Sequence, residues 1–265
     1  IILATKVAGR SGMKWFRGGE TRLDRKNIEL AIEGRLKRLQ TDYVDLYQLH
    51  WPDRPLNIFG GGLGAYKHYD LESVEISETL DVLSEIVKTG KVRHIALSNE
   101  TPWGLSEFIN KSETKNLPRV QSVQNAYNLL NRTYEYGMSE FAHRSSVGLL
   151  AYSPLAQGYL SGKYLNGAMP KGSRTQLFGR GQRYETPAAE NSIKAYVDYA
   201  KKIGMDPSVM ANAFVNSREF VTSNIIGATT MEQLKLAVGS WEVKLSEEDF
   251  KEFDAIHAAC PNPCP

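Results

Sequence analysis

Cysteine is scarce in this sequence, and so are the residue patterns that would indicate a metal site. Only 2 of the 265 residues are cysteines, and both lie in the Pro-rich segment Cys260-Pro261-Asn262-Pro263-Cys264. Two cysteines do not make a disulfide framework, and no nearby histidine or cysteine completes a zinc set. We therefore expect a reducing, cytoplasmic setting and no bound metal.

Long apolar runs and a surplus of one charge are also lacking. No stretch approaches the length that spans a bilayer, so no membrane association is expected. The net charge is only +2, and Lys and Arg are scattered among acids, which argues against a nucleic-acid partner. The length suits one large core or a single barrel. None of these features predicts an oligomeric state.

Short apolar runs alternate with helical patterns along the chain. Strands are predicted at 2–7, 44–50, 93–99, 120–125, 148–153 and 224–228. Helices are predicted at 24–39, 77–89, 102–111, 134–144, 188–203, 207–217, 231–240 and 246–258, with Asp24 and Ser246 as N-caps. Long loops are predicted at 51–72 and 154–186. Continuous apolar strands separated by helices indicate a parallel sheet covered by helices.

Two parallel architectures fit this pattern. An open doubly wound sheet predicts a Gly-rich turn after its first strand, and Ala8-Gly9-Arg10-Ser11-Gly12 matches that turn poorly. A TIM (β/α)8 barrel has eight strands. Because the chain opens inside a strand without an initiator Met, we expect sequence upstream of Ile1. The prediction is one domain over residues 1–265, a TIM barrel lacking its first two strands and first helix.

Two ionisable residues lie at the ends of predicted strands. Lys6 ends the first apolar run, and His50 ends the run Asp45-Leu46-Tyr47-Gln48-Leu49, directly before Trp51-Pro52. Barrels keep their chemistry at the carboxyl ends of their strands. The imidazole can stabilise a carbonyl oxygen as it gains negative charge, and an ammonium lowers the pKa of a neighbouring phenol or carboxylic acid. Either residue alone could instead be a polar cap at the rim.

Amide and hydroxyl groups end three further strands, at Ser98-Asn99, Gln124-Asn125 and Tyr152-Ser153. Such groups suit a planar carboxamide lying on an aromatic ring, as a nicotinamide would. Polar strand ends are also common in proteins without any ligand. Their occurrence on consecutive strands favours the binding interpretation.

Two segments offer groups for phosphate. Glycines and two cations, Lys163 and Arg174, occupy the loop that follows Tyr152-Ser153. Gly227-Ala228-Thr229-Thr230-Met231-Glu232-Gln233 brings hydroxyls to a predicted helix start, where free backbone N–H groups attract anions. The alternative is a solvated loop and an ordinary N-capped helix.

These segments are the ones by which the chain resembles the aldo-keto reductases, and among them the bacterial Tas-like branch. The resemblance rests on Leu3-Ala4-Thr5-Lys6-Val7, Asp45-Leu46-Tyr47-Gln48-Leu49-His50-Trp51-Pro52, Leu97-Ser98-Asn99-Glu100, Gln124-Asn125-Ala126-Tyr127-Asn128, Ala151-Tyr152-Ser153-Pro154-Leu155, Leu160-Ser161-Gly162-Lys163-Tyr164 and Gly227-Ala228-Thr229-Thr230-Met231-Glu232-Gln233. They occur in order over nearly the whole chain. The resemblance implies a TIM barrel that reduces the carbonyl group of a small molecule, an aldehyde or a ketone, with NADPH.

The resemblance also implies a role for each candidate residue. Lys6 and His50 would belong to a catalytic Asp-Tyr-Lys-His tetrad in which Tyr donates the proton, Lys lowers its pKa, Asp holds Lys and His orients the carbonyl. The implied cofactor contacts are Ser98, Asn99 and Gln124 with the nicotinamide carboxamide, Tyr152 with its ring, Ser153 and Leu155 with the pyrophosphate, Lys163 and Arg174 over the cofactor, and Thr229 and Gln233 with the adenosine 2′-phosphate.

The chain departs from the family pattern in two places. Residues 1–265 contain no counterpart of the tetrad Asp and Tyr, which are expected upstream of Ile1. Near the adenine, Leu236-Ala237 stands where the family often has Glu-Asn.

The main hypothesis is an NADPH-dependent carbonyl reductase, and the alternative is a catalytically silent NADPH-binding, redox-sensing subunit. An unrelated barrel hydrolase lacks support, because no nucleophile–base or metal-ligand spacing stands out.

Overall fold

The computed structural model describes residues 1–57, 68–69, 71–179 and 183–265. Parts of both predicted long loops, residues 58–67 and 70 of the first and 180–182 of the second, lie outside the described residues. The strands of the described part are β1 Ala4–Val7, β2 Val44–Leu49, β3 Val92–Ser98, β4 Val120–Gln124, β5 Gly148–Tyr152 and β6 Val221–Ile225. The α-helices are α1 Arg25–Leu39, α2 Ile76–Lys88, α3 Pro102–Lys115, α4 Met138–Arg144, α5 Arg174–Phe178, α6 Ala189–Lys202, α7 Pro207–Asn216, α8 Met231–Gly239 and α9 Glu247–Ala259.

Helix starts follow the capping chemistry that the sequence predicts. Asp24 caps α1 by accepting a hydrogen bond from the Asn27 backbone N–H. Ser246 caps α9, and Asp249 completes a reciprocal capping box with it. Each such cap satisfies backbone donors that the helix itself leaves unpaired. Both predicted N-caps are confirmed.

Three predicted elements were wrong in their extent, and one of them is the predicted helix 102–111, which continues to Lys115. The predicted helix 134–144 is a 3₁₀ turn at Thr133–Glu135 followed by α4. Gly137 separates them at φ 83°, a left-handed conformation that interrupts an α-helix. The predicted strand 224–228 lies earlier, at Val221–Ile225, so the apolar pair Ile225-Ile226 marks the end of that strand and not its start.

The chain forms two compact units. The first comprises the described residues through Asn125 together with Gly137–Leu149, and the second comprises Ala126–Tyr136 with the described residues of Leu150–Pro265. The first unit holds β1 to β4 and the start of β5. Neighbouring strands pair in parallel, and the paired residues include Lys6 with Gln48, Gln48 with Ala96, and Ser98 with Gln124. The second unit holds the end of β5, and β6.

The strands of the described residues form one sheet in the order β1-β2-β3-β4-β5-β6. Sequential order with parallel pairing and intervening helices confirms the predicted α/β fold class, and it is consistent with a TIM barrel. In the first unit, Ile28 and Ile32 of α1 and Leu80 and Leu83 of α2 are fully buried. No helix of the described residues is long and apolar enough to cross a bilayer.

An aromatic cluster forms the core of the second unit. Tyr127 stacks on Phe214 with ring centroids 5.7 Å apart, and Phe214 meets Phe253 edge to face at 5.6 Å. All three side chains are fully buried. Aromatic pairs in these geometries add to the stabilisation that burial of their area already provides.

The segment after β1 passes very close to the segment after β2. A Cβ placed on Gly9 would clash with the Trp51 carbonyl oxygen and come within 2.8 Å of the Pro52 carbonyl oxygen. The Gly9 carbonyl accepts a hydrogen bond of 2.6 Å from the buried Thr21 hydroxyl. Only glycine fits this approach, which brings the chain that follows Lys6 against the chain that follows His50.

Candidate active site

Lys6 and His50 lie on neighbouring strands of the first unit and on one face of the sheet. Lys6 precedes the last residue of β1, and His50 directly follows β2. The His50 backbone N–H donates to the Val7 carbonyl at 2.8 Å. Lys6 is in register with Gln48, and residues two apart on a strand point to the same face. The structure therefore brings Lys6, Gln48 and His50 to the same side at adjacent strand ends.

The His50 imidazole is held in its neutral form at neutral pH. Its ring packs on the Trp51 ring with centroids 4.5 Å apart. Burial is the largest influence on its pKa, and the positive charges of Lys6 and Arg35 act in the same direction, so the pKa falls to about 4. A neutral imidazole carries one N–H donor, which can stabilise a carbonyl oxygen that gains negative charge.

Lys6 lies in the same half-buried environment. Burial lowers the pKa of its ammonium group, and the charge of Arg35 lowers it further. The desolvated cation exerts a stronger field on a neighbouring group than an exposed one would. It can therefore lower the pKa of an acid placed beside it.

Gln48 was not among the predicted site residues. It is 1% exposed, and its Nε2 donor finds no acceptor within the described residues. A buried amide donor without a partner is unfavourable, and this one lies on the strand face that carries Lys6. The available sequence signal was a polar residue inside an apolar strand, two positions before His50.

The predicted carboxamide-binding residues of the first unit lie together. Ser98 ends β3, and its hydroxyl donates to the Gln124 carbonyl at 2.8 Å. Asn99 has φ 53°, and its side-chain amide donates to the His50 carbonyl at 2.8 Å and to the Ser98 hydroxyl at 3.2 Å. Left-handed non-glycine residues cluster at functional sites because the backbone strain must be held by surrounding contacts. These bonds tie the Ser98-Asn99 turn directly to the His50 backbone.

A tight turn follows β5 in the second unit. Tyr152 ends the strand, and Ser153 has φ 60° with its carbonyl held by the buried Asn128 side chain at 2.9 Å. Leu155 is near the right-handed region at φ −91° and ψ 13°, whereas Ala156 and Gln157 have φ 48° and 57°. Two N–H groups of this turn are already paired within it, since Ala156 donates to the Ser153 carbonyl and Gly158 to the Leu155 carbonyl, both at 2.8 Å.

The predicted cations of the second unit lie at different places. A Cβ on Gly158 would come within 3.1 Å of the Lys163 Nζ atom, so the Lys163 ammonium lies against the turn. Arg174 begins α5, and its guanidinium carbon lies 5.8 Å from the Phe178 ring. Both side chains are exposed. The structure thus brings Lys163 to the turn and leaves Arg174 on a separate short helix.

Thr229 and Gln233 pair with each other at the start of α8. The Gln233 side-chain oxygen accepts from the Thr229 N–H at 2.9 Å and from its hydroxyl at 3.1 Å. Thr230 caps the helix by accepting from the Gln233 N–H. A phosphate at this helix start would have to displace the Gln233 side chain from Thr229.

No group of three or more His, Cys, Asp or Glu among the described residues could hold a metal ion.

The parallel sheet carries a lysine, an imidazole and amides at the ends of its strands. α/β-barrel enzymes keep their active sites at the carboxyl ends of their strands. The sequence model of the Aldo/keto reductase family matches residues 1–258, and this chain belongs to that family. It is 46% identical to Protein tas of Escherichia coli strain K12, over 100% of this chain and 77% of that protein. This confirms the predicted resemblance.

Other relatives support an oxidoreductase class. The chain is 39% identical to an aldo-keto reductase of Babesia bovis, over 89% of this chain and 87% of that protein. It is 30% identical to the L-glyceraldehyde 3-phosphate reductase of Escherichia coli O157:H7, over 87% of this chain and 63% of that protein. The family contains oxidoreductases that act on small molecules, and its members generally use NAD(P)H.

The electrostatics of His50 lead to a direct prediction. In NMR of the full-length gene product with labelled histidine, the His50 ring should titrate with a pKa of about 4. In Lys6→Met, this pKa should rise, because removing a neighbouring positive charge favours the protonated imidazole.

A His50→Gln variant assigns the resonance among the histidines of the chain. A His50 pKa near the ordinary value of about 6.5, or one that is unchanged in Lys6→Met, would contradict the described environment.

Proposed function

We propose that this protein reduces the carbonyl group of an aldehyde or ketone to an alcohol with NADPH, and that residues 1–265 serve this one activity. The observation that carries the proposal is the pairing of Lys6 with a neutral His50 at adjacent strand ends, in a member of the aldo/keto reductase family. The reduced nicotinamide, when bound, supplies a hydride. The remaining steps depend on residues of the protein.

His50 and Lys6 have different tasks in this proposal. The His50 N–H donates to the substrate carbonyl oxygen, and this bond strengthens as the oxygen becomes an alkoxide. The Lys6 ammonium favours the ionised form of an acid beside it, which makes proton transfer to the alkoxide easier. The resemblance assigns that acid to a tyrosine.

Residues at the strand ends of the first unit fit the nicotinamide carboxamide. Ser98, Asn99 and Gln124 provide hydroxyl and amide groups that both donate and accept hydrogen bonds, as a carboxamide requires. Their mutual bonds and the bond from Asn99 to the His50 carbonyl support a role in orienting that ring beside His50.

Residues of the second unit fit the remainder of NADPH. The Tyr152 ring would stack on the nicotinamide, and the turn at Ser153 and Leu155 would face the pyrophosphate. Lys163, Arg174, Thr229 and Gln233 would face phosphate oxygens, the last two at the adenosine 2′-phosphate. The Lys163 ammonium beside Gly158 supports this assignment. A preference for NADPH over NADH would come from contacts with the 2′-phosphate.

The central test measures NADPH oxidation by the full-length gene product with a panel of aldehydes and ketones. Turnover should be clear for at least one substrate and fall about 100-fold or more in His50→Ala, since a single donor to a developing oxyanion contributes about that factor. A rate no higher than that of His50→Ala with every carbonyl would contradict the proposal. Tight NADPH binding without turnover would favour the silent redox-sensing subunit instead.

The cofactor assignment in the second unit is tested with a pair of glycine variants. Gly158→Ala should weaken NADPH binding severalfold, because its Cβ would lie 3.0–3.1 Å from the Lys163 Cε and Nζ atoms and push the ammonium away from the turn. The control is Gly167→Ala. Gly158 and Gly167 both have positive φ, of 97° and 73°, but a Cβ on Gly167 meets nothing within 4 Å.

Cofactor fluorescence titration and thermal unfolding of both variants separate binding from stability. Equal affinity of the two variants for NADPH would contradict the role given to Lys163.

A further inference from the structure

Asp53 is a buried carboxylate that the proposed chemistry does not use. It is 4% exposed and follows His50 by three residues. Its two oxygens accept from the Arg22 guanidinium at 2.9–3.0 Å, from the Leu23 N–H at 3.0 Å and from the Val74 N–H at 2.8 Å. One side chain therefore joins the segment after β1, the segment after β2 and the chain that leads into α2.

The same carboxylate remains ionised at neutral pH. Burial raises the pKa of Asp53, but the Arg22 guanidinium and the Val74 and Leu23 amides outweigh burial and hold this pKa below its usual value. Asp53 therefore accepts these bonds as an anion, and hydrogen bonds to a charged acceptor are stronger and more directional than neutral ones.

Arg10 connects Asp53 to the ring on which His50 rests. The Arg10 Nε–H donates to the Asp53 carbonyl at 2.9 Å, and its guanidinium lies 3.7 Å from the carboxylate. The Arg10 carbonyl accepts from the Trp51 Nε1–H at 2.9 Å. With Gly9 pressed against the Trp51 and Pro52 backbone, the indole is fixed on one side by the segment after β1. The indole ring in turn packs on the His50 ring, with ring centroids 4.5 Å apart.

We propose that Asp53 is a positioning residue, which clamps the segment after Lys6 to the segment after His50 and so holds the imidazole against Trp51 at the spacing that carbonyl reduction needs. This inference rests on the proposed function. In this inference Asp53 acts through Arg10 and Trp51 and not on the substrate. Small displacements of a positioned catalytic group lower the rate without abolishing binding.

The chain offers a matched control for loss of a buried carboxylate. Asp249 is 9% exposed and accepts from the Ser246 N–H at 2.7 Å, the Ser246 hydroxyl at 2.8 Å and the Tyr199 hydroxyl at 2.7 Å. It lies in the second unit, and the described residues that flank Lys6 and His50 make no hydrogen bond to it. Asp249→Asn should therefore destabilise the protein without changing His50.

The experiment compares Asp53→Asn with Asp249→Asn in the full-length gene product. An asparagine at position 53 turns an NH₂ group toward donors, so the clamp opens and water reaches His50. The His50 pKa should then rise by about one unit or more, since rehydration favours the charged imidazole. Loss of a negative charge alone would lower this pKa. The charges acting on His50, those of Lys6 and Arg35, stay in place.

Turnover should fall about tenfold to 100-fold in Asp53→Asn, with an unchanged dissociation constant for NADPH. Asp249→Asn should lower the melting temperature by a similar amount to Asp53→Asn. Its His50 titration and its turnover should nevertheless match those of the wild type. Should Asp53→Asn not fold, Arg22→Lys keeps the positive charge but loses the bidentate geometry, and it should shift the His50 pKa in the same direction by a smaller amount.

A His50 titration that is the same in wild type, Asp53→Asn and Arg22→Lys would overturn the positioning role, as would an equal shift in Asp249→Asn. The NMR result does not depend on turnover. If the wild-type protein reduced no carbonyl, the proposed function would fail while the effect of Asp53 on His50 could still be measured.

Discussion

In-register parallel pairing of β1 with β2 is the constraint on which the candidate site depends. It sets Lys6 beside Gln48 and Val7 beside Leu49, so His50 emerges on the same face as Lys6. A slip of one residue would turn one of these side chains to the opposite face. The buried apolar residues of both strands and the close approach of Gly9 to Trp51 hold this register.

The local electrostatics follow from the same pairing. Two basic groups at adjacent strand ends are half-buried. Burial lowers the pKa of both; the charge of Lys6 and then that of Arg35 lower the pKa of His50 further, and the charge of Arg35 lowers that of Lys6. His50 loses its proton at neutral pH and becomes a neutral donor, whereas Lys6 remains the group that supplies positive potential. In the proposed reaction this division supplies the oxygen with a hydrogen-bond donor during hydride transfer and favours the acid that protonates it afterwards.

Local sequence signals were sufficient for most of the fold. Apolar runs located the strands of the first unit to within a few residues, and Asp24 and Ser246 marked helix starts. Gly137 interrupts a helix that side-chain periodicity alone predicted as continuous. The polar ends of successive strands, such as Ser98 and Gln124, were predictable because parallel strands bring their carboxyl ends to one edge.

The supporting contacts of the site could not be predicted from the sequence. Asp53 binds Arg22 and the Val74 amide, and nothing in the local sequence indicates that these distant residues meet. Gln48 was hidden because a single glutamine in a strand is uninformative until its register with Lys6 is known. Local patterns therefore predicted the polar groups at the strand ends, whereas the groups that fix their spacing required the tertiary structure.

The most direct test of the account is transfer of deuterium from the cofactor to the substrate. NADPH labelled at C4 of the nicotinamide, prepared as each of the two stereoisomers, is incubated with the full-length gene product and an aldehyde, and the alcohol is analysed by mass spectrometry. The account predicts that one stereoisomer delivers its deuterium to the carbinol carbon, and that His50→Ala slows this transfer. The account would be contradicted if neither stereoisomer delivered deuterium and the new carbon-bound hydrogen of the alcohol came from water.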